Sequence, residues 1–282
     1  VSGGAAVGDP ATATVTIRDN DTTPSSLNPI DDSQFFVREH YRDFLGREPD
    51  SAGLQFWTNE IESCGADSQC REAKRVNVSA AFFLSIEFQN TGYFVYRVYE
   101  STLGRAPART GEFMLDSHII GDGVVVGPDG WQQKLEANKD AYVAEFVSRP
   151  EFVEKYPTTL APAQFVAALS ANTGGSLSAS DLAAAVATFG GASDTSDASA
   201  RARVVRAVAE NNAFTQSQSE PAFVLMQYYG YMRREPEEAP DTDMSGYNFW
   251  LTKLKQFGGN FVQAEMVKAF IESNEYRSRF GN

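Results

Sequence analysis

Three glutamates, Glu87, Glu151 and Glu275, stand at one repeated place, in the segments Phe82–Phe88, Phe146–Phe152 and Phe270–Tyr276. Carboxylates are the usual agents of acid–base chemistry, but recurrence at one position suits a structural task such as bonding a helix end. His40 is the other candidate base. Its counterparts in the repeat are Val98 and Gln227, and no Gly-x-Ser-x-Gly elbow or reactive-cysteine motif supplies a nucleophile for it. Gly121-Asp122-Gly123 follows no convincing strand and lacks a Gly-Lys-Ser/Thr ending, so it offers no phosphate cradle. Asp241-x-Asp243-x-Ser245-Gly246 imitates the opening of an oxygen-rich calcium loop, although Thr252 stands where a bidentate Glu belongs. The same string also reads as a solvated acidic loop ahead of a helix N-terminus. Asp50 in the first copy carries the same two readings. Cys64 and Cys70 flank a small polar loop, with neither His40 nor His118 at a metal-ligand spacing. They read as a disulfide closing that loop, against the alternative of two free thiols, and so point to an oxidising compartment.

The elements that hold these residues belong to a folded chain: 282 residues, 42% apolar and 12% aromatic. A net charge of -13 disfavours phosphate backbones and anionic surfaces, which excludes nucleic acid as a partner. No apolar run approaches the ~20 residues of a membrane helix, and no signal sequence opens the chain. The start at Val1-Ser2-Gly3-Gly4 reads as a boundary inside a longer polypeptide.

Two regions differ in period. Residues 1–21 end in an alternating, β-branched segment, Thr12, Thr14, Val15 and Ile17 among its members, stopped by Asp19-Asn20-Asp21. A Pro- and Ser-rich linker is expected over 22–32. From 33 to 282 the pattern is helical and repeats, with copies near 33–91, 92–160, 161–219 and 220–282. In three copies Val, Tyr and Leu or Met fall at i, i+4 and i+8: Val37, Tyr41, Leu45; Val95, Tyr99, Leu103; Val224, Tyr228, Met232. That stripe is one buried helix face. Gly46-Arg47-x-Pro49, Gly104-Arg105-x-Pro107 and Arg233-Arg234-x-Pro236 end those helices. A degenerate copy starts at Phe165-Val166, and Val208 to Phe214 is the weak equivalent of its second half. Trp57 and Trp250, recurring beside Phe56 and Phe249, are expected to fill the core between helices. The fold class is therefore mainly α, a helical repeat of about four units behind a short N-terminal strand.

The run from Phe36 to Trp57, Phe-Val-x-x-x-Tyr-x-x-Phe-Leu-Gly-Arg-Glu-Pro-Asp-x-x-Gly-Leu-x-Phe-Trp, resembles the signature of the bacterial family called domain of unknown function 4214. That resemblance implies an all-helical module of large secreted and surface-layer-associated proteins, similar in motif to phycobilisome linker domains. The last copy departs from it by lacking the glycine before Arg234 and by extra residues before Gly246. The segment Ala13-Thr14-Val15-Thr16-Ile17-Arg18-Asp19-Asn20-Asp21 resembles the final strand of a Calx-beta domain, which implies calcium ligation by Asp19 and Asp21. The expectation is a non-enzymatic extracellular module of a bacterial surface protein, needing no cofactor. It would associate with itself or with other surface proteins, and Thr12, Thr14, Val15 and Ile17 would add a strand to a neighbour in a filament or lattice. The alternative is a calcium-dependent adhesin for a glycan or matrix ligand, with Asp241 and Asp243 as further candidates.

Overall fold

The computed structural model describes residues 28–281; the terminal strand and Asp19 and Asp21 lie outside them. Among the described residues every element is helical. The first unit holds α1 (Ser33–His40), α2 (Ser51–Glu62), α3 (Ser68–Leu84) and α4 (Ile86–Asn90); the second holds α5 (Gly92–Leu103), α6 (Met114–Gly121), α7 (Trp131–Phe146) and α8 (Pro150–Lys155). The third runs through α9 (Pro162–Asn172), α10 (Ala179–Ala187) and α11 (Ala198–Ala209) into α12 (Asn212–Met226). The rest of α12 begins the fourth, completed by α13 (Ser245–Gln256), α14 (Met266–Ile271) and α15 (Asn274–Ser278).

The repeated motif writes the same local structure each time. Its helix carries the Val/Tyr stripe inward, and Val37, Tyr41, Val95, Tyr99, Val224 and Tyr228 are all buried. The chain then reverses through a left-handed residue, Gly46 at φ +64° and Gly104 at φ +72°, a conformation glycine enters without a Cβ penalty. In the fourth unit Arg233 takes that place at φ +54°. Before Gly46 and Arg233 the helix widens into π turns, Tyr41–Leu45 and Gln227–Met232. The second half of each unit opens on a small polar cap: Ser85 accepts from the Phe88 amide at 3.1 Å, Asn211 from Phe214 at 3.1 Å and Ser273 from Tyr276 at 3.1 Å. The second unit uses Pro150 at the first helical position instead.

One apolar core runs from Ile30 to Tyr276 through all four units, including Phe165, Val166 and Leu169 of the degenerate copy. Its axis is α5, almost wholly buried from Gly92 to Thr102 and packed against α4, α9, α11 and α12. The first and last units meet through equivalent residues: Phe44 and its counterpart Tyr231 lie edge to face at 5.2 Å. Gly230 makes room for this contact, since a Cβ there would stand 2.7 Å from the Phe44 ring. Like contacting like is the mark of a local two-fold relation. The expected linker is corrected at its end. Residues 28–32 belong to the folded body: Ile30 is fully buried, Asn28 Nδ2 donates to the Arg277 carbonyl at 2.9 Å, and Asp31 pairs with Arg277 at 2.7 Å.

Candidate functional site

The recurrent polar residues converge on one arrangement. Arg47 sits over the Tyr41 ring at 5.0 Å and donates from Nε and Nη2 to the two oxygens of Glu87 at 2.7 and 2.6 Å. Arg105 lies 5.3 Å over Tyr99 and reaches Glu151 at 3.1 and 2.7 Å. Arg234 lies 5.3 Å over Tyr228 and reaches Glu275 at 2.6 and 3.3 Å. Each guanidinium also donates from Nη1 to the carbonyl of the next residue, at 3.1 Å in all three. Each has a second carboxylate in range: Asp50 at 4.0 Å, Glu112 at 2.7 Å, Asp241 at 2.7 Å. Planar, bidentate pairing fixes direction as well as charge. In these three units the triad therefore clamps the end of the motif helix to the start of the helix that closes the unit. The hydrogen bond from Arg47 to Glu87, opposed by burial, raises the Arg47 pKa. Burial opposes the charge on Arg234, and its bonds to Glu275 and Asp241 outweigh that. The structural task expected of these glutamates is thus performed through an arginine and not through the amides of a helix end. Glu87, Glu151 and Glu275 are second in their helices, a place from which they face the arginine and not the amides of the first turn.

A tyrosine, a glycine and a tryptophan complete the arrangement in the first and fourth units. A Cβ on Gly53 would stand 2.2 Å from Tyr41 Oη, and one on Gly246 2.7 Å from Tyr228 Oη. Trp57 packs on Phe82 at 5.9 Å and Trp250 on Phe270 at 5.7 Å. Neither indole is enclosed, contrary to the expectation of core residues. Both are half-buried, and the preceding phenylalanines point outward, Phe56 57% and Phe249 58% exposed.

The second unit departs. A π turn, Arg109–Phe113, leads into α6 and adds a residue to the register. Phe113 and Ile120 are buried in the places of Leu54 and Ile61, and Leu115, 56% exposed, matches Phe56. Asp116 consequently takes the position of Trp57. It is 1% exposed, accepting from Tyr99 Oη and Tyr142 Oη at 3.0 Å each and from Arg149 at 2.7 and 2.9 Å. Arg149 replaces the capping serine of the sister units and lies 4.9 Å over Phe146. Burial, and then the Asp116 charge, pushes the Tyr99 hydroxyl well above its ordinary pKa. Beside this pair lies a cleft of about 490 Å³, against about 290 Å³ at the matching place in the fourth unit.

The remaining candidates are structural. His40 is fully buried, with Nδ1 2.8 Å from the Phe36 carbonyl and Nε2 2.9 Å from Ser79 Oγ. Burial lowers its pKa to about 3, so the imidazole is neutral. Cys64 and Cys70 form the expected disulfide, Cα atoms 5.6 Å apart, joining the end of α2 to the first turn of α3. Asp50 Oδ1 caps α2 by accepting from the Gly53 amide at 2.8 Å. Asp241 is committed to Arg234, and Asp243 Oδ1 accepts from the Ser245 amide at 2.8 Å. Among the described residues no three His, Cys, Asp or Glu side chains converge as ligands, and a cation at Asp241 would compete with a guanidinium already there. No described helix is long and apolar enough to cross a membrane.

Fold and clamp together define an all-helical repeat protein in which three of the four units share one Tyr–Arg–Glu triad. The family described as domain of unknown function (DUF4214) matches residues 28–92, the first of these units. No curated protein matches the chain.

Proposed function

We propose that this chain is a non-enzymatic structural module of an extracellular bacterial surface protein, and that it works by associating with other copies or other surface proteins. The observation that carries this reading is the threefold recurrence of an outward apolar side chain, Phe56, Leu115 and Phe249, at 57%, 56% and 58% exposure. A repeat that holds arginine and glutamate in matching clamps in three of its four units, and turns a large apolar residue to water at the same place in those three, is built to present that residue. The disulfide supports an oxidising compartment. The resemblances to phycobilisome linkers and to a Calx-beta strand agree with an assembly role, with residues 1–21 as a second joining element. Sedimentation velocity across a concentration series tests it, on the full chain, on a chain starting at residue 22, and on the Phe56→Ser/Leu115→Ser/Phe249→Ser variant. Self-association weakened by either change supports the reading, whereas a full chain that stays monomeric at every concentration overturns association between copies and leaves only other surface proteins as partners. Association abolished by a chelator would favour the calcium-dependent adhesin instead.

A further inference from the structure

The third unit lacks the outward side chain that its three sisters share, and has a groove instead. Counted from the helix cap, Ala184 of α10 stands where Phe56 stands in α2. The third unit packs α9 on α10 as the first packs α1 on α2. Yet Ala163, Ala167, Ala183 and Ala187 occupy the places of Gln34, Arg38, Gln55 and Asn59, of which Gln55 and Asn59 bond to each other at 2.6 Å. Four polar side chains cut back to methyls leave a trough of about 560 Å³ between the two helices. The four alanines are exposed along it, and Leu182 and Val186 lie half-buried among them. The surround is acidic. Residues 161–200 carry Asp181, Asp194 and Asp197 and no Lys or Arg. These carboxylates accept from Ser178 Oγ, Ser196 Oγ and the Ala200 amide, none of which is a cation.

We propose that this groove receives Phe249 of a second copy of the chain. The inference rests on the self-association proposed above and names the two surfaces that meet. Of the three outward side chains, charge selects one. Glu60 stands one helical turn beyond Phe56, and Leu115 shares its surface with Glu112, Glu145 and Glu151. Either would bring carboxylates against aspartates, which like charges oppose. One turn beyond Phe249 stands Lys253 instead. Its Nζ lies 3.7 Å from Glu265, a carboxylate 73% exposed, and so exposed a pair holds the ammonium weakly. Seating the Phe249 ring, 58% exposed, between alanine methyls removes apolar surface on both copies from water. Ring and groove are different surfaces of one chain, so the contact is head-to-tail. Each added copy then leaves one ring and one groove open for the next.

Two variants of the full chain test the pairing by complementation. Phe249→Ser removes the ring and keeps the groove. Ala167→Arg/Ala183→Gln installs the first unit's residues at two exposed positions, filling the groove and keeping the ring. Sedimentation velocity should show the unaltered chain associating with a Kd on the order of tens of micromolar, and each variant monomeric at the same concentrations. An equimolar mixture of the two should form a dimer that grows no further, because it holds one intact ring and one intact groove in contact. Phe56→Ser should associate as the parent does, and Lys253→Glu should weaken association about fivefold or more. Should the filled groove fail to fold by circular dichroism, Ala163→Gln/Ala187→Asn blocks it with the first unit's other two residues. A mixture that stays monomeric, a folded groove variant that associates like the parent, a loss with Phe56→Ser equal to that with Phe249→Ser, or a monomeric unaltered chain overturns the proposal. Association that survives the filled groove but falls with Phe249→Ser sinks this groove while leaving the broader reading of self-association intact.

Discussion

The first and second units begin with the same helix and end with the same arginine–glutamate clamp, yet between these points they solve one packing problem in two ways. The first places Gly53 under the Tyr41 hydroxyl and an indole on Phe82. The second inserts a residue through a π turn, brings Asp116 to the indole position, and neutralises it with Arg149 and two tyrosine hydroxyls. The apolar solution tolerates partial exposure. The ionic one demands complete satisfaction, because a buried charge stripped of its partner cannot recover its hydration. The two units should therefore respond very differently to single changes.

The largest difference is expected at the charges. Asp116→Ala leaves Arg149 with Glu145 as its remaining carboxylate and two buried tyrosine hydroxyls without an acceptor, a loss of about 3–5 kcal/mol. In the first unit, Arg47→Ala removes a partly exposed clamp and should cost about 1–2 kcal/mol. Urea unfolding of both variants checks the ranking, and a smaller loss for Asp116→Ala breaks the comparison.

Next in size is a pH effect centred on His40 of the first unit, at its seam with the fourth. The buried His40 ring, faced by the Arg75 and Arg279 charges, protonates at about 3, against 6.5 when unfolded. Between these values the unfolded chain binds more protons, so stability is full above about 6.5 and falls as pH drops toward 3, by up to ~1.4 kcal/mol per pH unit. From pH 6.5 to 4.5 the unaltered chain should lose about 2–3 kcal/mol more than His40→Gln, measured by denaturant unfolding at both pH values. Equal losses would show that His40 is not what couples this core to protons.

Much of this was legible beforehand. The Val/Tyr stripe, the Gly-Arg-x-Pro stop and the degenerate third copy all rest on period and stereochemistry, which a sequence states directly. Both halves of the clamp, Arg47 and Glu87 with their counterparts, recur in the sequence, but their pairing is a long-range contact that only packing brings about. The signal was their joint recurrence. Asp116 stayed hidden because gapless counting sets Leu115 against Trp57. One extra residue in a π turn moves the register, and only the burial of Ile120 in the place of Ile61 reveals the shift. Residues 28–32 looked like linker by composition, but Asn28, Ile30 and Asp31 each have partners far along the chain.

The register shift carries its own test at the glycines. Gly53→Ala drives a methyl into Tyr41 Oη, 2.2 Å from the ideal Cβ, and Tyr41 is packed too firmly to retreat; the expected cost is about 1–3 kcal/mol. Gly111, the same motif glycine by sequence, has nothing within 4 Å of a Cβ. Gly111→Ala should therefore stabilise by up to about 1 kcal/mol through helix propensity. Thermal unfolding of the pair gives opposite signs if the units differ as described, and the same sign if they do not.

The smallest effect lies where the fourth unit breaks the motif. Arg233 holds a left-handed conformation that Gly46 and Gly104 enter freely, at a cost of about 1 kcal/mol. In return its guanidinium reaches Asp43 at 2.8 Å, across the seam between first and last units. Asp43 is buried, and burial raises its pKa although Arg279 and Arg233 both oppose the shift. A carboxyl so raised stays protonated in the fold after it has ionised in the unfolded chain, so its contribution to stability is lost as pH rises through that range. Arg233→Gly relieves the backbone and removes one of the two cations. At about pH 4 the relief should win, and the variant should equal or exceed the parent by under about 1 kcal/mol. At pH 7, where Asp43 is more fully ionised than at pH 4, Arg279 alone faces that charge, and the variant should lose part of that advantage. Denaturant midpoints at the two pH values decide it. An offset that does not change with pH would mean that Arg233 is tolerated at the turn for some reason other than Asp43.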